Sequence, residues 1–409
     1  MNAKHGFLAD YFEGFGYKTL KPVEIDPDVS HEHEFNGINQ FKELFGTDKQ
    51  HLPCRVIYLS DDEEEIIEDS VTLTWYDARE KNPDRAAEYR LYYSESVCFA
   101  KANSGDLMVV CRNKADISAT MFISRNRDTV SNQLEWLFGI SDGSVTTVGK
   151  AKTLERDISL DYVSDLILEK AGIALEQPDD SALDVLLEKF PDGFPKTVEF
   201  SDFARSMVED VTLDDGVDNA LIEWLDYEEY IFRVYEKYIV GEKLQSSFDD
   251  VNDFISFSLS VQNRRKSRAG YALENHLKYV FESLEIKYSY NKATEGNAKP
   301  DFIFPGIKEY HNDSFSPVFL TMLGVKTTCK DRWRQVLSEA ERIQKKHLFT
   351  LEPRISQSQT DEMIGHKLQL VVPEKIKITF NQEQQKWLLT LADFTELVEE
   401  RQKKSIANQ

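Results

Sequence analysis

Cysteine is scarce. The 409-residue chain holds four (Cys54, Cys98, Cys111 and Cys329), none in a CxxC pair, which argues against a zinc cluster or a disulfide framework. Unpaired thiols of this kind suit a reducing cytoplasm. Long apolar runs are missing too. No stretch reaches the roughly 18 apolar residues of a membrane span, so no membrane association is expected. The opening MNAKHGFLADYFEGFGYK sets acids inside its apolar stretch and lacks the pattern of a secretory signal. Basic residues are also in deficit. Lys plus Arg number 49 against 72 Asp plus Glu, a net charge of -23, which at first sight excludes a nucleic-acid binder.

The distribution of charge changes that reading. Residues 261–409 carry 24 basic and 19 acidic residues, whereas residues 1–260 carry 25 and 53. The cations of the second part cluster at Arg264-Arg265-Lys266-Ser267-Arg268 and between Lys326 and Lys346. DNA binding depends on where positive charge sits rather than on its total. Ordinary solvated charge clusters remain the alternative.

What is present is enough for a real core. Apolar residues make up 41% of the chain and aromatics 11%, and the length calls for two or three domains. Residues 1–145 read as a β-rich domain. VTLTWYDAR, EYRLYYSESVCFAKA, GDLMVVCRN and SATMFISR are β-branched and aromatic runs broken by turn formers, with one short helix at GINQFKELFG. Residues 146–185 read as a connecting region, and 186–409 as an α/β domain. There NALIEWLDYEEYIFRVYEKYIV, SRAGYALENHLKYVFESLEI and DRWRQVLSEAERIQKKH predict helices, while PDFIFPG, PVFLTMLGVKTT and LQLVVP predict strands of a buried central sheet.

One spacing carries chemistry. Asp301 opens a strand, and Lys326 closes the next apolar strand 25 residues on. If those strands are antiparallel neighbours, both side chains reach one edge of the sheet. Phosphodiester hydrolysis needs a carboxylate to hold a metal and a cation near the attacking water, and this pair supplies both. The acid often found two residues before such a lysine is absent, because Gly324 stands there. Glu339, on the helix expected after the lysine strand, is the candidate second acid and metal ligand beside Asp301. Glu274 is a further candidate catalytic acid. A Pro-Asp…Lys spacing alone also occurs in proteins of other function.

The residues beyond Lys326 add base-reading chemistry. Arg takes both acceptors of guanine and Asp accepts from the amino group of cytosine, so Lys330, Asp331, Arg332 and Arg334 suit G·C pairs. The alternative is a helix N-terminus with surface charge.

NRRKSRAG (263–270), TEGNAKPDFIFPG (294–306), VKTTCKDRWRQ (325–335), HLFTL (347–351) and LVVP (370–373) together resemble the EcoRII restriction endonucleases over residues 188–375. The resemblance implies a C-terminal α/β restriction-endonuclease fold with a mixed sheet flanked by helices. It implies a swapped metal motif at Asp301, Lys326 and Glu339 with Glu274 beside it, and Mg2+ as cofactor. It also implies reading of CC:GG by Lys330, Asp331 and Arg332, in sites of the CCWGG or CCNGG kind. In the N-terminal half, HEFNGINQFKELFG, Tyr76 to Arg79 and Glu88 to Arg90 are similar to the effector domain of that family. This implies a β-barrel-like, B3-like DNA-binding domain with Arg79 and Arg90 among its contacts. The expected DNA-binding set is completed by Arg264, Arg265, Lys266 and Arg268. Double-stranded DNA is the expected partner, with homodimerisation through the catalytic domain to match a palindromic site.

One departure stands out. The arginine-rich stretch that holds a flipped base in the family is replaced by Ile222-Glu223-Trp224-Leu225-Asp226-Tyr227-Glu228-Glu229-Tyr230. Trp224, Tyr227 and Tyr230 are either stacking residues for an extruded base or core residues of their helix. Two rival readings stay open: another nuclease of the same fold, acting in repair or on modified DNA, and a non-cutting DNA-binding regulator.

Overall fold

The computed structural model describes residues 6–407 apart from 63–64, 83, 142, 156–157, 174–180, 209, 247, 297 and 330–331. The chain forms two compact units, residues 4–176 and 177–409.

The first unit is built on alternation. Its eight strands are β1 (Phe12–Thr19), β2 (Glu34–Phe35), β3 (Gln50–Leu59), β4 (Ile67–Asp77), β5 (Tyr89–Tyr93), β6 (Leu107–Asn113), β7 (Ala119–Ser124) and β8 (Lys150–Thr153). They form one sheet in the order β2-β5-β4-β3-β7-β6-β1-β8, antiparallel except where β3 runs parallel to β7. Successive side chains leave opposite faces of a strand, and here both faces are apolar. Val56, Met108, Val110, Met121 and Ile123 enter one core with Phe41 and Trp75. Ile57, Leu107, Val109, Cys111 and Phe122 enter the other with Leu134 and Phe138. The sheet curls: just beyond β2 and just before β8, the Gly149 N–H donates to the Gly37 carbonyl at 2.8 Å, so the two edges meet at one end.

The connecting region expected at 146–185 is largely structural. β8 pairs with β1 from Gly14↔Thr153 to Tyr17↔Lys150. Helix Tyr162–Lys170, capped by the Asp161 side chain, sends Ile167 and Leu168 into the second core. Helix Leu183–Lys189 already belongs to the second unit, where Leu186 is buried.

The second unit has a five-stranded sheet of β9 (Ser289–Tyr290), β10 (Phe302–Phe304), β11 (Thr321–Lys326), β12 (Lys346–Thr350) and β13 (Leu368–Val371). The order is β13-β12-β11-β10-β9. β9, β10 and β11 are antiparallel, while β11, β12 and β13 are parallel, so the sheet is mixed. Helices Val217–Gln245 and Val251–Ser283 pack beside one another, and Leu391–Ala407 closes the chain. Leu273, Leu277, Val280 and Phe281 repeat at helical spacing and are buried. The Phe281 ring lies 5.1 and 5.2 Å from Phe302 and Phe304 and so fixes the helix against the sheet. No described helix is long and apolar enough to cross a membrane.

The sequence expectation of one helix over DRWRQVLSEAERIQKKH is corrected. The α-helix is only Trp333–Val336. The chain then tightens into three-residue turns, with the N–H groups of Leu337, Ser338 and Glu339 donating to Arg334, Gln335 and Val336. Arg342 donates to the carbonyls of Tyr310, Asn312 (3.2 Å) and Phe315 (2.8 Å), and the Glu341 N–H donates to Glu295 at 3.2 Å. These tertiary bonds pull good helix formers out of the helix, a case of context overriding propensity.

A Cβ on Gly16 of β1 would stand 2.5 Å from the fully buried Phe41 ring. Gly16→Ala should therefore destabilise the first unit by about 1–3 kcal/mol through overpacking, read as a lower midpoint of its unfolding transition in urea. An unchanged midpoint would show that the core yields at this point.

Candidate active site

The antiparallel pairing of β10 with β11 does for Asp301 and Lys326 what the spacing required. Register Phe302↔Leu323 sets Asp301 across from the end of β11. The Val325 N–H donates to Asp301 Oδ2 at 2.7 Å, and Lys326 Nζ reaches the same oxygen at 3.2 Å. The backbone of Asp301 is held in turn, its carbonyl accepting from the Asn291 N–H at 2.9 Å. Both side chains keep a partial opening to solvent, 20% for Asp301 and 25% for Lys326.

Two further carboxylates sit within electrostatic range. Glu339 lies in the turns after helix Trp333–Val336 rather than within a long helix. Burial, and then the negative charge of Asp301, push its carboxyl up to about 7, against the pull of Lys326 and Lys346. The backbone turns sharply just past it, where Ala340 has φ 49°. Lys346 Nζ ties this turn by donating to the carbonyls of Ala340 (3.4 Å) and Ile343 (3.3 Å). Glu274 projects from helix Val251–Ser283 and accepts from the Tyr290 hydroxyl. Burial raises its carboxyl, the Tyr290 bond lowers it and Asp301 raises it.

Gly324 now has a physical account. A Cβ there would lie 2.9 Å from Cγ2 of Val336 and 3.2 Å from its Cγ1. Any side chain at the position two before the lysine would push away the short helix from which Glu339 follows. Gly324 and the segment that leads to Glu339 thus meet in one packing contact.

Sequence reasoning missed two neighbours. Lys278 follows Glu274 at i+4, and its Nζ lies 3.4 Å from the Tyr290 ring centroid. Burial lowers its pKa while Glu274, Glu282 and Asp301 raise it. The i,i+4 Glu–Lys spacing was a legible signal. Tyr290, on the edge strand β9, left none.

The oxygen-only set suits a hard divalent cation, which commonly takes one or two carboxylates and fills its remaining positions with water and phosphate. Among the described residues, no three His, Cys, Asp or Glu side chains converge as a ready-made cage. Burial is the main cause of the upward shifts of Glu339 and Glu274, and the negative charge of Asp301 adds to both.

The other predicted residues are dispersed. Arg332 is exposed at the start of helix Trp333–Val336. Lys330 and Asp331 lie outside the described residues, as does the side chain of Lys266. Arg334 donates to both Glu362 oxygens at 3.0 Å and lies 4.8 Å over Trp333. Arg264 stacks 4.6 Å over Phe194, and Arg268 pairs with Glu229 and covers Phe232. Arg265 donates to Glu236 at 2.7 Å. In the first unit, Arg79 pairs with Glu88, and Arg90 with Glu34 and Glu88 at 2.8 and 2.9 Å, so carboxylates match both charges locally. Trp224, Tyr227 and Tyr230 are buried in their helix, Trp224 packing 5.4 Å from Tyr279, which favours the core reading of all three.

The comparisons fall on this same region. Residues 232–395 match the family model described as EcoRII C terminal. The type II restriction enzyme EcoRII of Escherichia coli is 39% identical over 224 residues, which is 54% of this chain and 55% of that protein. The chain thus spans about half the length of the curated relative it matches. Two solved structures are also similar: metal-depleted Ecl18kI with uncleaved, modified DNA (TM-score 0.45) and with uncleaved DNA (TM-score 0.40). Each is 19% identical and covers 55% of this chain, and 85% or 86% of its own. All four residues of the site fall within the family match.

The raised Glu339 carboxyl makes a signed prediction. Its folded pKa, about 7, exceeds its ordinary value of 4.5. Ionising it therefore costs stability, and that cost grows as pH rises between those values. In metal-free protein, Glu339→Gln should be more stable than the parent above pH 7, by on the order of 1–3 kcal/mol, with no gain below pH 4.5. Added Mg2+ should stabilise the parent more than the variant. Chemical denaturation at several pH values checks both, and a gain independent of pH would refute the assignment.

Proposed function

We propose that this chain is a Mg2+-dependent endonuclease of the type II restriction kind, hydrolysing double-stranded DNA at a palindromic site containing CC:GG, of the CCWGG or CCNGG type. The observation that carries the reading is the meeting of Lys326 and Asp301 on adjacent strand ends, with Glu339 and Glu274 in electrostatic reach, inside the segment that matches EcoRII C terminal. The named activity of the relative supports it.

Asp301 and Glu339 would hold the metal. Bound there, the ion supplies a lowered pKa for water and a positive charge for the phosphoryl oxygens. The rest is the work of the chain. The Val325 N–H fixes which way the Asp301 carboxylate points. Lys326 keeps a fixed positive charge where the attacking water and the crowded phosphate meet. Glu274 is oriented by Tyr290 and bordered by Lys278. Arg332, with Lys330 and Asp331, would read the G·C pairs. In this reading the first unit is a B3-like, effector-like DNA-binding domain.

Asp301→Ala, Lys326→Ala and Glu339→Ala should each lower cleavage at least about 100-fold while leaving binding of the site within a few-fold. Digestion of a fully sequenced plasmid with Mg2+, with fragment ends sequenced, beside gel-shift titrations, measures both. Full cleavage by any of the three removes that residue from the site, and absence of cutting by the parent with any divalent metal overturns the function.

Arg332→Ala should lose discrimination at one G·C pair by about 1–3 kcal/mol. Affinities for cognate and singly substituted duplexes test this. Equal losses on all duplexes would make Arg332 a phosphate contact instead.

A further inference from the structure

Helix Val251–Ser283 presents two faces where it passes the site. Leu273, Leu277, Val280 and Phe281 are buried against the sheet. At 100° per residue, Tyr271, Glu274, Lys278 and Glu282 lie on another side, within about 80° of one another. Tyr271 is 50% exposed, and Glu274 and Lys278 are half-buried. This row therefore borders the opening to the site rather than the core.

The cations around Asp301 differ in what they hold. Lys326 pairs with Asp301 itself at 3.2 Å. Lys346 is buried and donates to the carbonyls of Ala340 and Ile343. Lys278 makes no hydrogen bond or ion pair with any described residue, and its ammonium rests 3.4 Å from the centre of the Tyr290 ring. The carboxylates one turn away on its own helix already have hydroxyl partners. Glu274 accepts from Tyr290, and Glu282 accepts from Tyr288 at 2.6 Å. The charges of Glu274, Glu282 and Asp301 all act on Lys278, which places it at the acidic site without tying it to any one acid.

The ring beneath it is a fixed seat. Tyr290 belongs to β9, and its register with Phe302 puts it beside Asp301. Its hydroxyl is committed to Glu274, and Phe302 packs 5.5 Å from its ring. An aromatic face holds a cation without consuming its three N–H donors. An uncommitted ammonium beside a group of carboxylates suits an anion that must approach them.

We propose that Lys278 binds the phosphate next to the scissile one, so that the substrate strand is held between Lys278 and Lys326 as it crosses Asp301. The contact rests on the nuclease reading above. Lys326 serves the reacting phosphate, while Lys278 offsets the repulsion between the acidic site and the neighbouring phosphate.

The test uses the full chain and short duplexes holding CCNGG sites, with metal omitted so that binding is read without cutting. Lys278→Gln should weaken binding about tenfold or more. It should also flatten the fall of log affinity with log salt by about 0.9, the slope of one phosphate contact. Lys278→Arg should restore both. Methylphosphonates, each removing one phosphate charge, are then placed singly across the site. At one position adjoining the cleaved bond the substitution should cost the parent about tenfold and cost Lys278→Gln nothing further. A methylphosphonate penalty that persists in Lys278→Gln at every position overturns the contact. So does a Lys278→Gln protein with the parent's salt slope, and a lowered unfolding midpoint beside that slope would make the lysine a structural brace. Binding with the expected signatures but no cutting by the parent with any divalent metal would overturn the nuclease alone. A parent that binds no duplex would overturn both.

Discussion

The second unit depends on a backbone amide. The N–H of Val325 points at the carboxylate of Asp301 because β10 and β11 run antiparallel in one register, and a slip by one residue would turn every side chain of β11 to the opposite face. That register is held from both sides of the sheet. Phe281 fastens Phe302 and Phe304 from the helix layer, and Val336 presses on Gly324. The site is thus a by-product of strand pairing, and its precision is that of a buried ladder rather than of a surface loop.

Much of this was legible before the structure. Asp301 and Lys326 sit at the two ends of apolar runs, so their meeting needed only neighbouring antiparallel strands. Helical spacing located the helix that carries Glu274, and turn residues located the strands of the first unit. Alternation in β6 and β7 was less legible, because both faces are apolar and a run such as LMVVC shows no period. The short β8 was lost for a related reason. KAKT has no apolar signature, and it is a strand because β1 offers it an open edge.

What resisted reading was tertiary. SEAERIQKK is as good a helix as sequence can write, and Arg342 undoes it by binding three carbonyls of the 310–315 segment, which lies nearly thirty residues earlier. Glu339 feels the charge of Asp301, yet it lies in turns beyond Val336 rather than on the expected helix. The basic run 264–268 has local partners that the sequence did not show. As sequence it is a positive run broken only by Ser267. In the fold, Arg264 and Arg268 lie flat on phenyl rings, while Arg265 and Arg268 pair with the glutamates of the preceding helix, so much of the charge is spent on packing.

The contact between Val336 and Gly324 also ties together two tasks that most scaffolds keep apart. Arg332 enters the helix of which Val336 is the last residue, and Glu339 follows three residues later. The segment 332–339 thus bears Arg332, the proposed base reader, at one end and Glu339 at the other, with Val336 between them packed on Gly324 of the lysine strand. If Arg332 reads a base and Glu339 serves the metal, as proposed, a wrong base pair that displaces Arg332 would disturb Glu339 through this short connection, so discrimination would show in the rate of the chemical step as well as in affinity.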